Sequence, residues 1–350
     1  MNVRDLPRKI NVTDELVICF DVSKDRLDGY AIHVREDAVD REITVSFGRR
    51  TDEICDHLDE LADYAERQGL DGLCVVCEPT GGYDEELLRL ARQQGHRTAY
   101  VNTEHTARMS TIESGDTNKS DPADARSMTL IAEVDRTQDR RVLEGEYGRL
   151  RELGQIYEDE DRQAAQARTR FHHVLKRLFC DYEKEARFLF SNTGAAVMEE
   201  YAWGPDAILE DGYERFCERI KRHVPRARWA TLEALYDQAK RSARMQWPPS
   251  YRSMWKRRLQ ELWADYQRHT CRKEQIGDRI ERLYRRLQDR GEVPEPFEEI
   301  TAKQLGRLIG ELGPLGDFDA CEAVEKYVGL NLRERTSGTY EGEVKISKKG

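Results

Sequence analysis

Four acidic residues of this chain stand where carboxylates could act together on a metal ion. Asp21 follows the apolar run LVICF, and Glu78 follows a second run, LCVVC. Asp121 and Asp124 stand three residues apart in NKSDPADA, a spacing that puts two helical residues on one face. Carboxylate oxygens suit Mg²⁺ or Mn²⁺, and two such ions can stabilise the attacking and leaving oxygens of a phosphodiester. The pattern therefore predicts metal-dependent phosphodiester chemistry.

Three of these acids, Asp21, Asp121 and Asp124, also have an ordinary structural explanation. Asp21 could cap the turn after its strand. Asp121 precedes Pro122, which favours the first helical position, so Asp121 could be an N-cap with Asp124 in the first turn. Taken singly, capping explains these acids at least as well as metal binding does. Three acid-bearing segments meeting at one edge of a sheet favour the metal site.

The elements that would position the acids follow from the apolar pattern of the first 140 residues. Buried runs predict strands, alternating runs predict half-buried strands, and a spacing of three and four predicts amphipathic helices. The predicted order is a meander of strands over 16–22, 27–34 and 42–47, a helix over 51–69, a strand over 73–77, a helix over 83–94, a parallel strand over 98–101 and a helix from Asp121. This is an α/β domain, whose sites lie beyond the carboxyl ends of the strands.

The overall composition is that of a multidomain chain without a membrane segment. It has 350 residues, a net charge of −10 and 35% charged residues, which suits two or three domains. No apolar run approaches the roughly 18 residues of a membrane span, and the N-terminus lacks a signal segment. We therefore expect a cytoplasmic protein with no membrane partner. The eight cysteines lie mostly in apolar or helical runs, so we expect reduced thiols.

The charge is distributed unevenly along the chain. Residues 1–140 hold 18 basic and 30 acidic side chains, whereas residues 215–290 hold 21 basic and nine acidic ones. Aromatic residues are interspersed in that basic region. Basic side chains neutralise phosphates and aromatic rings stack on bases, so a polyanion should bind here. The alternative is a solvated helix face whose aromatic residues belong to the core.

Long helices are predicted after residue 140. Apolar residues recur at heptad spacing over 150–178, interrupted by Glu160, and over 255–287, interrupted by His269 and Lys273. The two helices should pair as an antiparallel hairpin. The glycine- and proline-punctuated insert over 191–249 should form short helices and turns.

The last 58 residues contain a candidate nucleophile. A linker near Val293 precedes predicted helices over 302–312 and 319–328, which resemble a helix–hairpin–helix that presents backbone N–H groups to a phosphate. Beyond them, Ser337 stands in a Ser-Gly turn among arginines and lysines, which could expose it to a phosphate. An ordinary loop explains the same spacing.

Four motifs in this order carry a resemblance to a known family. FDVSK, CEPTGGY, NKSDPADA, and GLNLRERTSG with KISKKG resemble those of the DEDD-type insertion-sequence transposases, the family of the Piv DNA invertases and the bridge-RNA-guided recombinases. The resemblance implies a RuvC-like, ribonuclease-H-fold domain over 1–140. It further implies a helical, coiled-coil domain over 141–292 with the insert 191–249, and a C-terminal transposase domain over 293–350 that we expect to be incomplete.

The resemblance also implies roles for particular residues. Asp21, Glu78, Asp121 and Asp124 would be the metal ligands for two Mg²⁺ or Mn²⁺ ions, and Ser337 would be the nucleophile that attacks DNA. The implied partners are DNA, a guide RNA and further copies of the chain in a dimer or tetramer. Two alternatives remain open: a metal-dependent endonuclease of the Holliday-junction type, and a truncated, inactive nucleic-acid-binding remnant.

Overall fold

The computed structural model describes most of the chain. It describes residues 14–33, 41–103, 105–106, 109, 121–133, 137–138, 142–245, 247–330, 332–333, 336–337, 340–341 and 345–346. The chain divides into two compact units, Met1–Val142 and Leu143–Gly350. The finer division of the second unit at residue 293 stays a prediction. Within the described residues, no helix combines the length and apolarity needed to cross a membrane.

The first unit contains a six-stranded mixed sheet in the order β3-β2-β1-β4-β5-β6. β1 pairs antiparallel with β2 and parallel with β4, and β4 pairs parallel with β5. The strands are β1 (Leu16–Val22), β2 (Arg26–His33), β3 (Arg41–Gly48), β4 (Leu73–Cys77), β5 (Arg97–Val101) and β6 (Thr137–Gln138). The predicted α/β class is confirmed, and the sheet is compatible with a RuvC-like domain. The short β6 was not predicted.

Helices cover both faces of this sheet. Helices α1 (Thr51–Arg67) and α2 (Asp84–Gln93) bury their apolar stripes against one face, together with Ile18 and Phe20 of β1. Helix α3 (Asp121–Glu133) packs on the other face, against Val17 and Cys19. Successive strand residues point to opposite faces, so a strand buried on both sides reads as a continuous apolar run.

The second unit is built on two long antiparallel helices, α4 (Gly145–Leu178) and α8 (Pro249–Asp289). Their polar interruptions meet, because His269 Nδ1 lies 2.5 Å from Glu160 Oε2 and Lys273 Nζ lies 2.9 Å from Asp161 Oδ1. The predicted hairpin is therefore observed: Glu160 and His269, which break the two heptad seams, contact each other, and Lys273 pairs with Asp161, the residue after Glu160. Supercoiling of the pair stays a prediction.

The insert between the long helices forms three shorter ones around a shared apolar core. They are α5 (Asn192–Tyr201), α6 (Pro205–His223), which is broken at Gly212 with φ +74°, and α7 (Trp229–Ser242). Trp203 is fully buried in this core with Phe179 of the chain segment after α4. The prediction of short helices with turns is confirmed.

Helix α9 (Ala302–Leu312) packs against both long helices near their open end. Thr301 and Gln304 form a capping box at its start. Two glycines allow close contact, since a Cβ on Gly306 would meet Ile280 and one on Gly310 would meet the backbone of Leu150. Helix α10 (Cys321–Tyr327) follows, so both helices predicted here are observed, while their phosphate-presenting role stays a prediction.

The approach of α9 to α4 gives a direct stability test. A methyl group at Gly310 would lie 2.8 Å from the Leu150 carbonyl carbon, so Gly310→Ala should lower the free energy of unfolding by about 1–3 kcal/mol. Gly154→Ala on α4 is the matched control, because no atom lies within 4 Å of its added methyl group. The control should be neutral or gain up to about 1 kcal/mol of helix propensity. Urea denaturation measures the free energy of unfolding of both variants, and equal changes would contradict the close contact between α9 and α4.

Candidate metal centre at the sheet edge

Asp21 and Glu78 lie beside each other where two parallel strands end. The register of β1 and β4 pairs Phe20 with Cys77, so the next residue on each strand is one of the two acids. Strand alternation directs both carboxylates to the face that Cys19 shares with Val76. Two of the four predicted acids therefore share one edge and one face of the sheet.

The helix that begins with the other two acids packs on the same face. Ala125 and Met128 of α3 lie in the apolar cluster of that face, and Thr129 Oγ1 donates a 3.1 Å hydrogen bond to the Tyr30 carbonyl. Asp121 is the first residue of α3, and Asp124 follows in its first turn. Only the backbone of these two residues is described, so convergence of their side chains with Asp21 and Glu78 stays a prediction.

The carboxylate of Glu78 is suited to a cation. Its Oε1 is buried and has no hydrogen-bond partner within the described residues. A buried carboxylate oxygen without a partner is costly, and a bound cation removes that cost. The described residues contain no group of three His, Cys, Asp or Glu side chains arranged around a metal. The described half of the predicted ligand set thus consists of Asp21 and Glu78, with hard oxygen donors that fit Mg²⁺ or Mn²⁺.

A further carboxylate, which sequence reasoning missed, faces Asp21 across the sheet. The register of β1 and β2 pairs Asp21 with Asp28, and like charges directly opposite each other are destabilising. Asp28 is engaged by Arg26, 3.2 Å away, and by the hydroxyl of Ser46. Its alternating strand did not distinguish it from an ordinary surface acid. The pairing with Arg26 offsets the repulsion that Asp28 would otherwise exert on Asp21.

The turn after Glu78 is held by a buried carboxylate that sequence reasoning also missed. Asp84 Oδ1 accepts hydrogen bonds from the backbone N–H groups of Thr80 (3.1 Å) and Gly82 (3.2 Å). Its Oδ2 accepts one from the Tyr100 hydroxyl. Asp84 thereby fixes the PTGGY turn against β5. The signal in the sequence was an acid that starts a helix directly after a Gly-Gly turn.

Arg49 joins the segments that follow the two acids. Its guanidinium donates to the carbonyl of Lys24 (3.3 Å) in the turn beyond Asp21, and to the carbonyl of Tyr83 (2.9 Å) in the turn beyond Glu78. It also lies 4.9 Å from the centre of the Tyr83 ring and pairs with Glu86 at 3.1 Å. These contacts hold the two carboxyl-end turns in a fixed relation.

The candidate nucleophile lies in the second unit. Ser337 belongs to a two-residue strand, Thr336–Ser337, that pairs antiparallel with Tyr340–Glu341. Its backbone is therefore part of a strand pair, and the predicted Ser-Gly turn includes Gly338, which lies outside the described residues. The Ser337 side chain lies outside the described part, so its role as a nucleophile stays a prediction.

The aromatic residues of the basic region divide into two groups. Trp263 and Tyr284 are buried in the helical cores, as the alternative interpretation expects. Trp229, Trp247 and Tyr251 are exposed, at 58%, 37% and 50% of their surfaces. Lys221 Nζ lies 3.8 Å from the centre of the Trp229 ring, and Tyr251 stacks on Trp255, so each of these two rings has a neighbour within the chain on one face.

Comparison with known proteins relates residues 18–180, which span the first unit and the beginning of the second, to a known family. Residues 18–180 match the family model of the DEDD transposases of the IS110 type, which is described as a transposase. The match includes all four predicted metal ligands and ends before Ser337. A search of curated proteins found no match to the chain.

The buried Asp84 carboxylate makes stability depend on pH. Burial alone would raise its pKa, but hydrogen bonds from Tyr100, Thr80 and Gly82 outweigh burial, and the pKa of Asp84 falls below its ordinary value. A lowered pKa contributes stability that is present above the unfolded-state pKa of about 3.9 and is lost as pH falls through the folded-state value. Asp84→Asn should therefore cost about 1–3 kcal/mol at pH 7, and the cost should shrink below about pH 4.

Urea denaturation of the wild type and of the Asp84→Asn variant, at steps from pH 7 to pH 3, measures this difference. Asp56→Asn, on the exposed face of α1, is the control and should change stability little at any pH. A cost for Asp84→Asn that stays constant down to pH 3 would contradict the assigned role.

Proposed function

The chain belongs, through residues 18–180, to the IS110-type DEDD transposases, and from this membership we propose how it acts on DNA. It cuts and rejoins DNA with a divalent-metal carboxylate site and a serine nucleophile, under the direction of a guide RNA. The observation that carries the proposal is the pair of adjacent carboxylates, Asp21 and Glu78, one of them with a buried oxygen that lacks a hydrogen-bond partner.

The metal site consists of Asp21 and Glu78 from neighbouring strand ends, with Asp121 and Asp124 from the first turn of α3. Two Mg²⁺ or Mn²⁺ ions, when bound, would stabilise negative charge on the phosphate oxygens. Arg49 and Asp84 position the turns after Asp21 and Glu78, so the two described carboxylates are preorganised.

Ser337 forms and breaks the covalent bonds. Its Oγ bonds to phosphorus while the bond from phosphorus to a deoxyribose oxygen breaks, giving a phosphoserine link. The serine proton is lost and the leaving oxygen is protonated. Attack by the corresponding hydroxyl of another strand reverses these steps and rejoins the DNA. Energy of the broken bond is kept in the phosphoserine, so no nucleotide cofactor is required.

The two halves of the site come from different copies of the chain in a dimer or tetramer. The acids and Ser337 belong to different compact units, which is consistent with such sharing. A guide RNA selects the DNA sequence by base pairing with it, as in other guided systems. The 21 basic side chains within residues 215–290 and the exposed Trp229 and Trp247 support nucleic-acid binding by the helical unit.

Removal of one ligand should remove most of the stabilisation of the protein by metal. In the wild type, 10 mM MgCl₂ should raise Tm by about 2–5 °C, because an ion that binds only the folded state stabilises it. Glu78→Gln should lose most of this shift and, in EDTA, should melt no earlier than the wild type, since a buried charge has been removed. Glu60→Gln, at an exposed position of α1, should keep the full shift. A full shift in the Glu78→Gln protein would exclude Glu78 as a ligand.

The nucleophile is tested by trapping covalent protein–DNA adducts with a labelled cognate substrate. Ser337→Ala should remove these adducts altogether, whereas Ser347→Ala, in the neighbouring KISKKG segment, should keep them. Adducts at the wild-type level in the Ser337→Ala protein would exclude Ser337. Cleavage without adducts in both proteins would favour the endonuclease, and binding without any cleavage would favour the inactive remnant.

A further inference from the structure

An arginine-lined groove lies between the two long helices near their open end. Its volume is about 1120 Å³, above the range of about 300–1,000 Å³ that is typical of small-molecule pockets. Thirteen residues from α4, α8 and the segment before α4 line it, and five of them are arginines: Arg149, Arg279, Arg282, Arg285 and Arg286. The size and charge indicate a site for an extended anion.

Three of the five arginines are available to a ligand. Arg286 pairs with Glu146 at 3.1 Å and Arg285 with Glu281 at 3.6 Å. Within the described residues, no carboxylate lies at ion-pair distance from the other three, Arg149, Arg279 and Arg282, and all three are exposed. Their charges are therefore not neutralised by any carboxylate in the described part of the chain.

The acids of the groove do not cancel this charge. Glu152, Asp278 and Glu281 also line it. Asp278 is engaged by Lys303 at 3.3 Å, and Glu281 by Arg285. One acid, Glu152, remains against three unpaired arginines. The groove therefore presents a net positive surface.

The spacing of the arginines matches a phosphate backbone. Arg279 and Arg282 lie three residues apart on one face of α8, a separation of about 4.5 Å along the helix at about 1.5 Å per residue. One strand of a duplex carries a charge about every 3.4 Å along its axis, so these two arginines can contact neighbouring phosphates. Arg149 approaches from α4 on the opposite side of the groove.

The beginning of α4 adds to the positive potential. Gly145, the first residue of this 34-residue helix, and Gly148 line the groove. The first N–H groups of a helix lack intrahelical partners and carry the positive end of its dipole. Leu153 and Leu283 provide an apolar floor, on which the sugars of a backbone can lie.

We propose that this groove binds the sugar–phosphate backbone of a nucleic-acid strand, through Arg149, Arg279 and Arg282. The proposal rests on the proposed function only for the choice of a nucleic acid as the polyanion. It assigns binding to one surface of the second unit, whereas sequence reasoning assigned it to the whole of residues 215–290. Guanidinium groups that contact phosphates fix the register of a strand without reading its sequence.

The test compares the double variant Arg279→Gln/Arg282→Gln with the wild-type chain in EDTA, where cleavage does not occur. The probes are a fluorescein-labelled 20-base-pair DNA duplex and the RNA duplex of the same sequence, measured by anisotropy from 50 to 300 mM KCl. Loss of two phosphate contacts should reduce the slope of log K against log [salt] by about 1.8 for DNA and weaken binding roughly 10- to 100-fold near 100 mM.

A matched control removes the same charge elsewhere. Arg162→Gln/Arg187→Gln changes two exposed arginines outside the groove and should keep the wild-type slope. A reduced slope and weaker binding with the DNA probe, the RNA probe or both supports the proposal and shows which type of nucleic acid the groove binds. The proposal is overturned by an unchanged slope with both probes or by an equal change in the control. It is also overturned if the double variant changes only the oligomeric state, which would indicate that the groove binds an acidic protein surface instead. Failure of Asp21 or Ser337 as catalytic groups would leave this binding result unchanged.

Discussion

The parallel pairing of β1 with β4 is the constraint on which the candidate site depends. Because Phe20 pairs with Cys77, the acids that follow them leave the sheet side by side and on one face. A shift of register by one residue would send one carboxylate to the opposite face. The buried oxygen of Glu78 makes this arrangement costly without a cation. Arg49 and Asp84 hold the adjoining turns, and α3 covers the same face.

The second unit depends on the alignment of two long helices, of 34 and 41 residues. An uninterrupted apolar seam would allow the helices to slide, since every heptad resembles the next. Glu160 and His269 break the two seams at the same level and contact each other, so only one alignment satisfies both. That alignment places Arg149 of α4 opposite the arginines of α8 and thereby forms the groove. The polar contact thus links helix alignment to the groove that we propose as a nucleic-acid site.

Much of the fold was predictable because its signals are local. Alternating and continuous apolar runs indicated five of the six strands, and the heptad breaks indicated which helices pair. The contacts of Asp84 with Tyr100 and of Arg49 with Lys24 and Tyr83 were not predictable, since they join residues 16 to 34 positions apart whose meeting depends on strand register. Nor could the groove be predicted: arginines at 149 and 279–286 are unremarkable on exposed helices until the hairpin brings them together. Local patterns determined the elements, and long-range packing determined the sites.

The central claim is that Asp21 and Glu78 bind a divalent cation at the carboxyl ends of β1 and β4. Crystals grown with Mn²⁺ and measured near the manganese absorption edge test it directly. We expect an anomalous peak at this edge, about 2 Å from carboxylate oxygens of both residues, with Asp121 and Asp124 turned toward it. A Mn²⁺-loaded crystal with no peak between these two side chains, or with Glu78 bonded instead to protein donors, would contradict the account.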